Sequence, residues 1–529
     1  MRTNFFKYIF VFFVIGIISY AIYVLYFKDN TNKGDLFKNE QVDQIVEITD
    51  LRIGVSNFDT INPLISNNKE ILNIDKLIFE SLMNITEDYK TELNLAKECS
   101  KISDYSYIIK VDNNIKWHDG SSFSAKDVSF TIDRLKEGKS VYSYNVTKIQ
   151  NTEIIDASTL KINLIEPVPF FEYNLTFPIL PNNYYLNEDF YVSTKTPVGT
   201  GMFKISEITS NSIKLIKNDK WWDKNNKDSK IDTINIKIFT EIGEVYNSFK
   251  MGNIDIFTTY NINLEEYIGT MGYEKREVKG RELDYLAFNC QNNILKDKEV
   301  RKAINYAIDK TNIVSSVFNN EYYIAENPLD YGSYLYQNES VSLGYNPEQA
   351  KKILTDSGWE YKYNRWQKKE NYSTLKLNLT LTVNSSDTIR VQVAENIKNQ
   401  LSQIGINVTI KKVSDSRYEQ ILQNKSYEMI LTGVYNSFSP DLNSFFGENN
   451  FQNYNNTEIQ TILNDIKNIK GETQIKEKYK RIIEIYNEEQ PFISLYRNKI
   501  TVVTDQNLIG NPVCNNYFSY YNLYEWYRI

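Results

Sequence analysis

The stretch Leu375-Lys376-Leu377-Asn378-Leu379-Thr380-Leu381-Thr382-Val383 places an apolar residue at every second position. A period of two over nine residues predicts a strand with one face buried. Ile389, Val393, Ile397, Leu401 and Ile404 then recur at helical spacing, Gly405 follows as a helix C-terminal residue, and Ile406, Val408 and Ile410 alternate again. Strand, helix and strand in that order predict a right-handed crossover and therefore a parallel pair. A further strand is expected at Tyr427–Leu431, ending at Gly433.

The same alternation of elements extends in both directions. Leu51, Ile53 and Val55 open the folded body as a strand. Ser124 with Asp127 reads as a capping box, Val128, Ile132 and Leu135 as the buried stripe of its helix, and Gly138 as its close. Asn346-Pro347 with Gln349 opens another helix, with Ala350, Ile353 and Leu354 inward and Gly358 at its end. The chain has 529 residues, 41% hydrophobic and 24% charged, so it predicts an α/β protein of more than one lobe.

Composition removes several classes of function. A net charge of −7 argues against a nucleic-acid binder, which needs clustered Lys and Arg. The single histidine, His118, excludes most nucleophilic triads and any zinc site requiring two imidazoles. Cys99, Cys290 and Cys514 are widely separated, carry no metal-ligand spacing and allow at most one bridge. No nucleophile motif is present, so no catalytic residue, metal ligand or cofactor is expected. The 40 tyrosines fit either a compositional bias or clefts lined with rings that carry a polar tip.

Tyr8 to Phe27 is an uncharged run rich in Phe, Ile, Val and Tyr, preceded by Arg2 and Lys7. As a helix it would span about 30 Å, the thickness of a bilayer's hydrocarbon core. The positive-inside rule leaves residues 1–7 as a cytoplasmic stub and exports the remainder. The run is longer than the apolar region of a cleaved signal, no A-x-A site follows it, and no cysteine follows to carry a lipid. Residues 8–27 are therefore expected to be an uncleaved transmembrane anchor, with 28–47 a polar linker of about 25 Å reach. The protein is expected at the cell membrane, single-pass, with its bulk extracytoplasmic.

In open α/β sheets ligands bind beyond the carboxyl ends of strands. That rule points to the segment Gly433-Val434-Tyr435-Asn436-Ser437-Phe438-Ser439-Pro440-Asp441, which mixes aromatic and hydrogen-bonding groups.

A longer series of motifs resembles one family. Trp117-His118-Asp119-Gly120 with Phe123-Ser124-Ala125-Lys126-Asp127-Val128 comes first, then Pro197-Val198-Gly199-Thr200-Gly201-Met202-Phe203-Lys204 and Asn218-Asp219-Lys220-Trp221-Trp222. Met251-Gly252-Asn253-Ile254-Asp255, Phe288-Asn289 and Val300-Arg301-Lys302-Ala303-Ile304-Asn305 follow. Tyr345-Asn346-Pro347-Glu348-Gln349-Ala350 and Gln403-Ile404-Gly405-Ile406-Asn407-Val408 complete it. In this order they resemble the family 5 extracellular solute-binding proteins, the peptide, oligopeptide and nickel binders of ABC importers.

The resemblance implies a two-lobed, periplasmic-binding-protein-like α/β fold of type II, the large class with an extra subdomain. It implies one lobe at 48–280 plus 500–529 and another at 281–499, crossed by strands near Leu283–Phe288 and Ile493–Ile500. It implies ligand contacts at Gly433, Tyr435, Asn436, Ser437 and Asp441, a peptide-like ligand and an ABC permease as partner. His118 would only support its turn, and nickel binding is not expected. Peptide binders that this chain resembles carry an acidic residue four positions after the glycine, paired with the ligand's ammonium. Here that position is Ser437, and the aromatic usual after the glycine is Val434. A buried ammonium without a counter-charge is costly. Either Asp441 takes the role, or the ligand presents no free amino terminus there. The same fold could instead serve as a membrane-tethered receptor for a signalling peptide, or bind an oligosaccharide through stacking aromatics.

If Tyr8–Phe27 anchors the chain, the protein stays with membranes through a high-salt wash, and external protease on protoplasts releases a soluble fragment. Recovery from the medium with an N-terminus beyond Phe27 would overturn the anchor.

Overall fold

A computed structural model describes residues 48–529 except 187, 190–194, 262, 337–342 and 470. The stub, anchor and linker expected at 1–47 lie outside the described residues. Among the described residues no helix is long and apolar enough to cross a membrane. The following account concerns the body from Thr49 to Tyr527.

The parallel pair read from residues 375–410 is present. Asn378–Asn384 runs parallel to Asn407–Val413, joined by the helix Thr388–Gln403, with Gly405 at φ +81° turning the chain between them. Val393, Ile397 and Leu401 are fully buried against the sheet. Burying side chains of this size contributes roughly 1.5–3 kcal/mol each.

Two details differ from the sequence reading. The strand expected over 375–383 breaks at Leu377, whose N–H donates to the Trp366 carbonyl (3.0 Å). Ser373–Lys376 belongs to a small sheet with Arg365–Glu370. Ile389 is also exposed rather than part of the buried stripe, because Arg390 beside it turns inward to Asp284.

The parallel pair is one end of an eleven-stranded mixed sheet. From there the order passes through Met429–Tyr435, Tyr273–Phe288, Phe492–Asp505 and Ile256–Thr259 to Asp50–Ser56 and Thr233–Phe239. The two long central strands pair antiparallel, from Tyr273 opposite Asp505 to Ala287 opposite Phe492. Their register shifts between Lys279 and Leu283. The apolar interior divides at the same place. One core includes Val278 and Val502, and two others begin at Leu283 and Leu286 and end at Phe492 and Tyr496. A four-stranded antiparallel sheet from Ala96 to Leu164 packs into the first core under the helix Ala125–Leu135.

Several motifs have structural roles. His118 Nε2 donates to the Gly201 carbonyl (3.0 Å), while Nδ1 accepts the Gly199 N–H (3.2 Å). The ring thus ties the Trp117–Gly120 turn to the 197–204 segment as a neutral imidazole, and burial lowers its pKa to about 4. Glu80 accepts from both the Trp221 and Trp222 indoles (3.3 and 2.9 Å). Arg301 caps the carbonyls of Leu295 and Glu489.

Gly280 stands where the long strands cross. A Cβ there would lie 1.7 Å from Asn498 Oδ1 and 2.4 Å from the Asn498 carbonyl oxygen. The amide of Asn498 is already fixed, since Oδ1 accepts the Glu282 N–H (3.1 Å). Gly280→Ala should therefore cost about 1–3 kcal/mol in urea unfolding, the usual cost of overpacking. Asn498→Ala should restore only part of it, because the backbone carbonyl remains in the way.

Candidate functional site

Gly433 does not end its strand as expected. The strand Met429–Tyr435 continues through it, because Asp284 and Glu282 on the neighbouring long strand offer partners as far as Tyr435. A glycine is needed there. A Cβ would lie 2.3 Å from Arg390 Nη2 and 3.1 Å from Asp284 Oδ1, a pair that itself meets at 2.6 Å. Burial pushes the Asp284 carboxyl up to about 6 despite Arg390. Gly433 thus sits beside an ion pair and does not border either cavity described below.

From the last residue of the strand onward, residues 435–438 form a wall shared by two cavities. One, of about 490 Å³, is bordered by Lys69, Glu70, Lys76, Tyr142 and Tyr517 among others. The second, of about 900 Å³, is bordered by Tyr89, Glu166, Asp330, Asp441 and Lys467 among others. Tyr435, Asn436, Ser437 and Phe438 border both.

The wall is fixed to the strand crossing by charge. Arg281, on the first long strand, donates through Nε and Nη2 to Asp330 Oδ2 (2.9 and 2.6 Å) and also to the Ser437 carbonyl. Arg497, on the second, donates to Asp330 Oδ1 (2.9 Å) and to the carbonyls of Pro328 and Leu329. Asn436 Nδ2 joins the same group through Pro328 O and Asp330 Oδ1 (2.9 and 3.1 Å). Both arginines are 1% exposed. Two guanidiniums face one carboxylate, so the crossing holds one positive charge in excess. Charge-assisted bonds of this kind are worth about 1.5–3 kcal/mol each.

The other predicted residues take separate positions. The Tyr435 ring is partly exposed and lies 4.9 Å from Lys69 Nζ, which pairs with Glu282 at 3.5 Å. Ser437 Oγ accepts from the Ser439 N–H (3.2 Å). Phe438 covers the Arg281 guanidinium at 3.7 Å and packs edge-on to Tyr89 and Tyr517. Asp441 accepts from the backbone and side chain of Asn443 (2.9 and 2.5 Å), while burial raises its pKa.

Every carboxylate bordering the two cavities, among the described residues, is thus engaged or partly neutral. Asp330 serves two arginines, and Glu166 pairs with Lys148 at 2.6 Å. Glu70 is pushed up to about 7 by burial, against one Ser56 N–H. Among the described residues no three His, Cys, Asp or Glu side chains assemble as a metal-holding group. Burial also pushes the Cys99, Cys290 and Cys514 thiols up, and none is bridged.

Arg281, Asp330, Arg497 and Phe438 were not singled out from the sequence. Arg281 and Arg497 could have been, since each is a charge beside an apolar strand pattern. Asp330 has no comparable signal.

Comparison with known proteins finds relatives of this chain. The family model for bacterial extracellular solute-binding proteins, family 5, middle region, matches residues 90–456. The oligopeptide-binding protein AppA of Bacillus subtilis is 24% identical over 505 residues, covering 90% of this chain and 91% of its own. The NikZ structure from Campylobacter jejuni in complex with Ni(L-His) is 25% identical with a TM-score of 0.63, covering 90% of this chain and 99% of that one. HbpA2 from Haemophilus parasuis reaches a TM-score of 0.79 at 19% identity, covering 91% of this chain and 100% of its own.

Asp330→Asn should cost about 3–5 kcal/mol in urea unfolding, because it strands two buried guanidiniums. Asp441→Asn should cost about 1 kcal/mol, since the amide oxygen can still accept from Asn443.

Proposed function

We infer the function from one premise: the chain belongs to the bacterial extracellular solute-binding proteins of family 5. Members of this family work with ABC importers that take up peptides or nickel. The finer reading proposed here is an extracytoplasmic receptor that captures peptides or peptide-like oligomers between two closing lobes. It would deliver them to an ABC permease while held to the membrane by residues 8–27. The lobes are proposed at 48–280 plus 500–529 and at 281–499. The division of the apolar cores between Val278 and Leu283, and between Tyr496 and Val502, supports that boundary.

The observation that carries the reading is the divided cleft against the crossing strands. Tyrosine, asparagine and serine are the commonest residues of its walls and offer apolar area with hydrogen bonds. The ion pairs across the proposed boundary, Lys69–Glu282 at 3.5 Å and Lys90–Glu472 at 3.1 Å, are exposed, and Phe170 against Tyr479, Phe438 against Tyr89 and the Tyr334 N–H on the Asp88 carbonyl (2.9 Å) also cross it. The exposed ion pairs contribute about 0–1 kcal/mol each. No catalytic constellation is proposed, so a bound peptide should be recovered intact after long incubation.

The engaged state of Asp441 and the hydroxyl at Ser437 favour a ligand whose amino-terminal charge contributes little. In titration calorimetry on the full chain, N-acetylated and free tripeptides should bind within about tenfold of each other, or roughly 1.4 kcal/mol. Ser437→Asp should shift preference towards free amino termini. A strong preference for free termini that Asp441→Asn abolishes would show instead that the carboxylate has moved along the segment.

A further inference from the structure

The smaller cavity carries an arrangement that the reading above leaves unused. Lys76 follows the helix Lys69–Asp75 and borders the cavity with Tyr517 and Asn515. Its ammonium lies 4.8 Å from the Tyr517 ring centroid and donates to the Leu72 carbonyl (3.3 Å). Among the described residues it makes no ion pair within 4.0 Å. The adjacent Asp75 makes no hydrogen bond to it. Both Asp75 carboxyl oxygens are buried without a hydrogen-bond partner, and burial holds that carboxyl well above the usual range. Glu70, also bordering the cavity, is half-neutral near pH 7.

Asn515 supplies a second donor. It is 6% exposed, and its Oδ1 is fixed by the N–H groups of Tyr517 and Phe518 (2.9 and 2.7 Å). That fixation sets the amide's orientation, and its Nδ2 has no partner. A buried N–H left unpaired costs about 1–3 kcal/mol unless something accepts from it. Tyr517 links the two groups, since its backbone holds Asn515 and its ring carries Lys76. An ammonium and an unpartnered amide on residues bordering one cavity, neither paired with a carboxylate, suit an anionic oxygen ligand.

We propose that Lys76 and Asn515 form a carboxylate-binding subsite in the smaller cavity, which takes an anionic end or acidic side chain of the ligand. This deepens, and rests on, the reading of a peptide-like ligand. Burial lowers the Lys76 pKa to about 8, so at neutral pH most of the population is cationic and an added carboxylate would raise that value.

Two measurements on the full chain separate the subsite from the reading beneath it. In the first, the lysines are reductively methylated with ¹³C, and Lys76 is assigned by Lys76→Arg. N-acetyl-leucine should move the Lys76 resonance and raise its titration midpoint, while N-acetyl-leucine amide should do neither. Equal responses, or none, overturn the subsite. N-acetyl-glutamate diamide, whose only free donor groups are amides, should also be silent, whereas N-acetyl-glutamate α-amide carries only a side-chain carboxylate. A response to the latter supports a subsite that reads acidic side chains as well, and silence supports one reserved for chain termini. Asn515→Leu should weaken the N-acetyl-leucine response about fivefold. In the second, tripeptide libraries ending in acids or amides are compared by calorimetry. Wild type should favour acids by at least tenfold, Lys76→Arg should keep the preference, and Lys76→Met should reduce it to within twofold. Equal binding of acids and amides by wild type overturns the subsite and leaves the peptide reading standing. If neither library binds while the resonance still responds, the peptide reading fails and the subsite stands.

Discussion

Arg281, Asp330 and Arg497 join the two long strands at the point where the apolar cores divide. Removing a pair of guanidiniums from water is expensive, and one carboxylate answers only half of their charge. The rest is met by carbonyl oxygens: Pro328 and Leu329 for Arg497, Ser437 for Arg281. Those carbonyls belong to the segments that border the cleft, so the crossing and the wall of the site are one hydrogen-bonded unit. Gly280 makes that unit possible, because only a residue without a side chain passes Asn498 so closely.

The same unit limits what the wall can do. Residues 435–438 are held through the Asn436 N–H on the Arg281 carbonyl (3.0 Å), through Asn436 on Asp330, and through the Ser437 carbonyl on Arg281. Moving the wall independently would break charge-assisted bonds. The ion pairs Lys69–Glu282 and Lys90–Glu472 between the separate cores are exposed and screened by solvent, but Phe438 of the wall also packs on Tyr89 and Tyr517 across the same boundary.

Much of the scaffold was legible because it rests on local pattern. The parallel pair of Asn378–Asn384 and Asn407–Val413 follows from period-two and period-3.6 spacing, and the asparagine cap of Pro347–Asp356 is visible in Asn346-Pro347. The alternation at Leu375–Val383 ran across two sheets, since a side-chain period does not record where a strand changes partner. The site was legible only along one segment. Tyr435, Asn436, Ser437 and Asp441 do border cavities, but Gly433 serves an ion pair between residues 284 and 390. The other cleft groups come from positions as distant as Lys76, Asp330 and Asn515. Their meeting depends on the crossing strands, and no local spacing encodes it.

Charge in the cleft shows why position matters more than composition here. The chain has a net charge of −7, yet the surroundings of its cavities hold cations that their carboxylates do not fully answer. Glu70 and Asp75 follow Lys69 and precede Lys76 in one short helix, and composition alone would score that helix as balanced. Burial separates the signs. It raises the Glu70 carboxyl to about 7 and the Asp75 carboxyl well above its usual range, while Lys76 falls only to about 8 and stays mostly charged at pH 7. The excess guanidinium at the crossing adds to this, beneath Phe438. Lys76 thereby keeps its charge at the wall of the smaller cavity, while burial works against ionisation of the acids beside it.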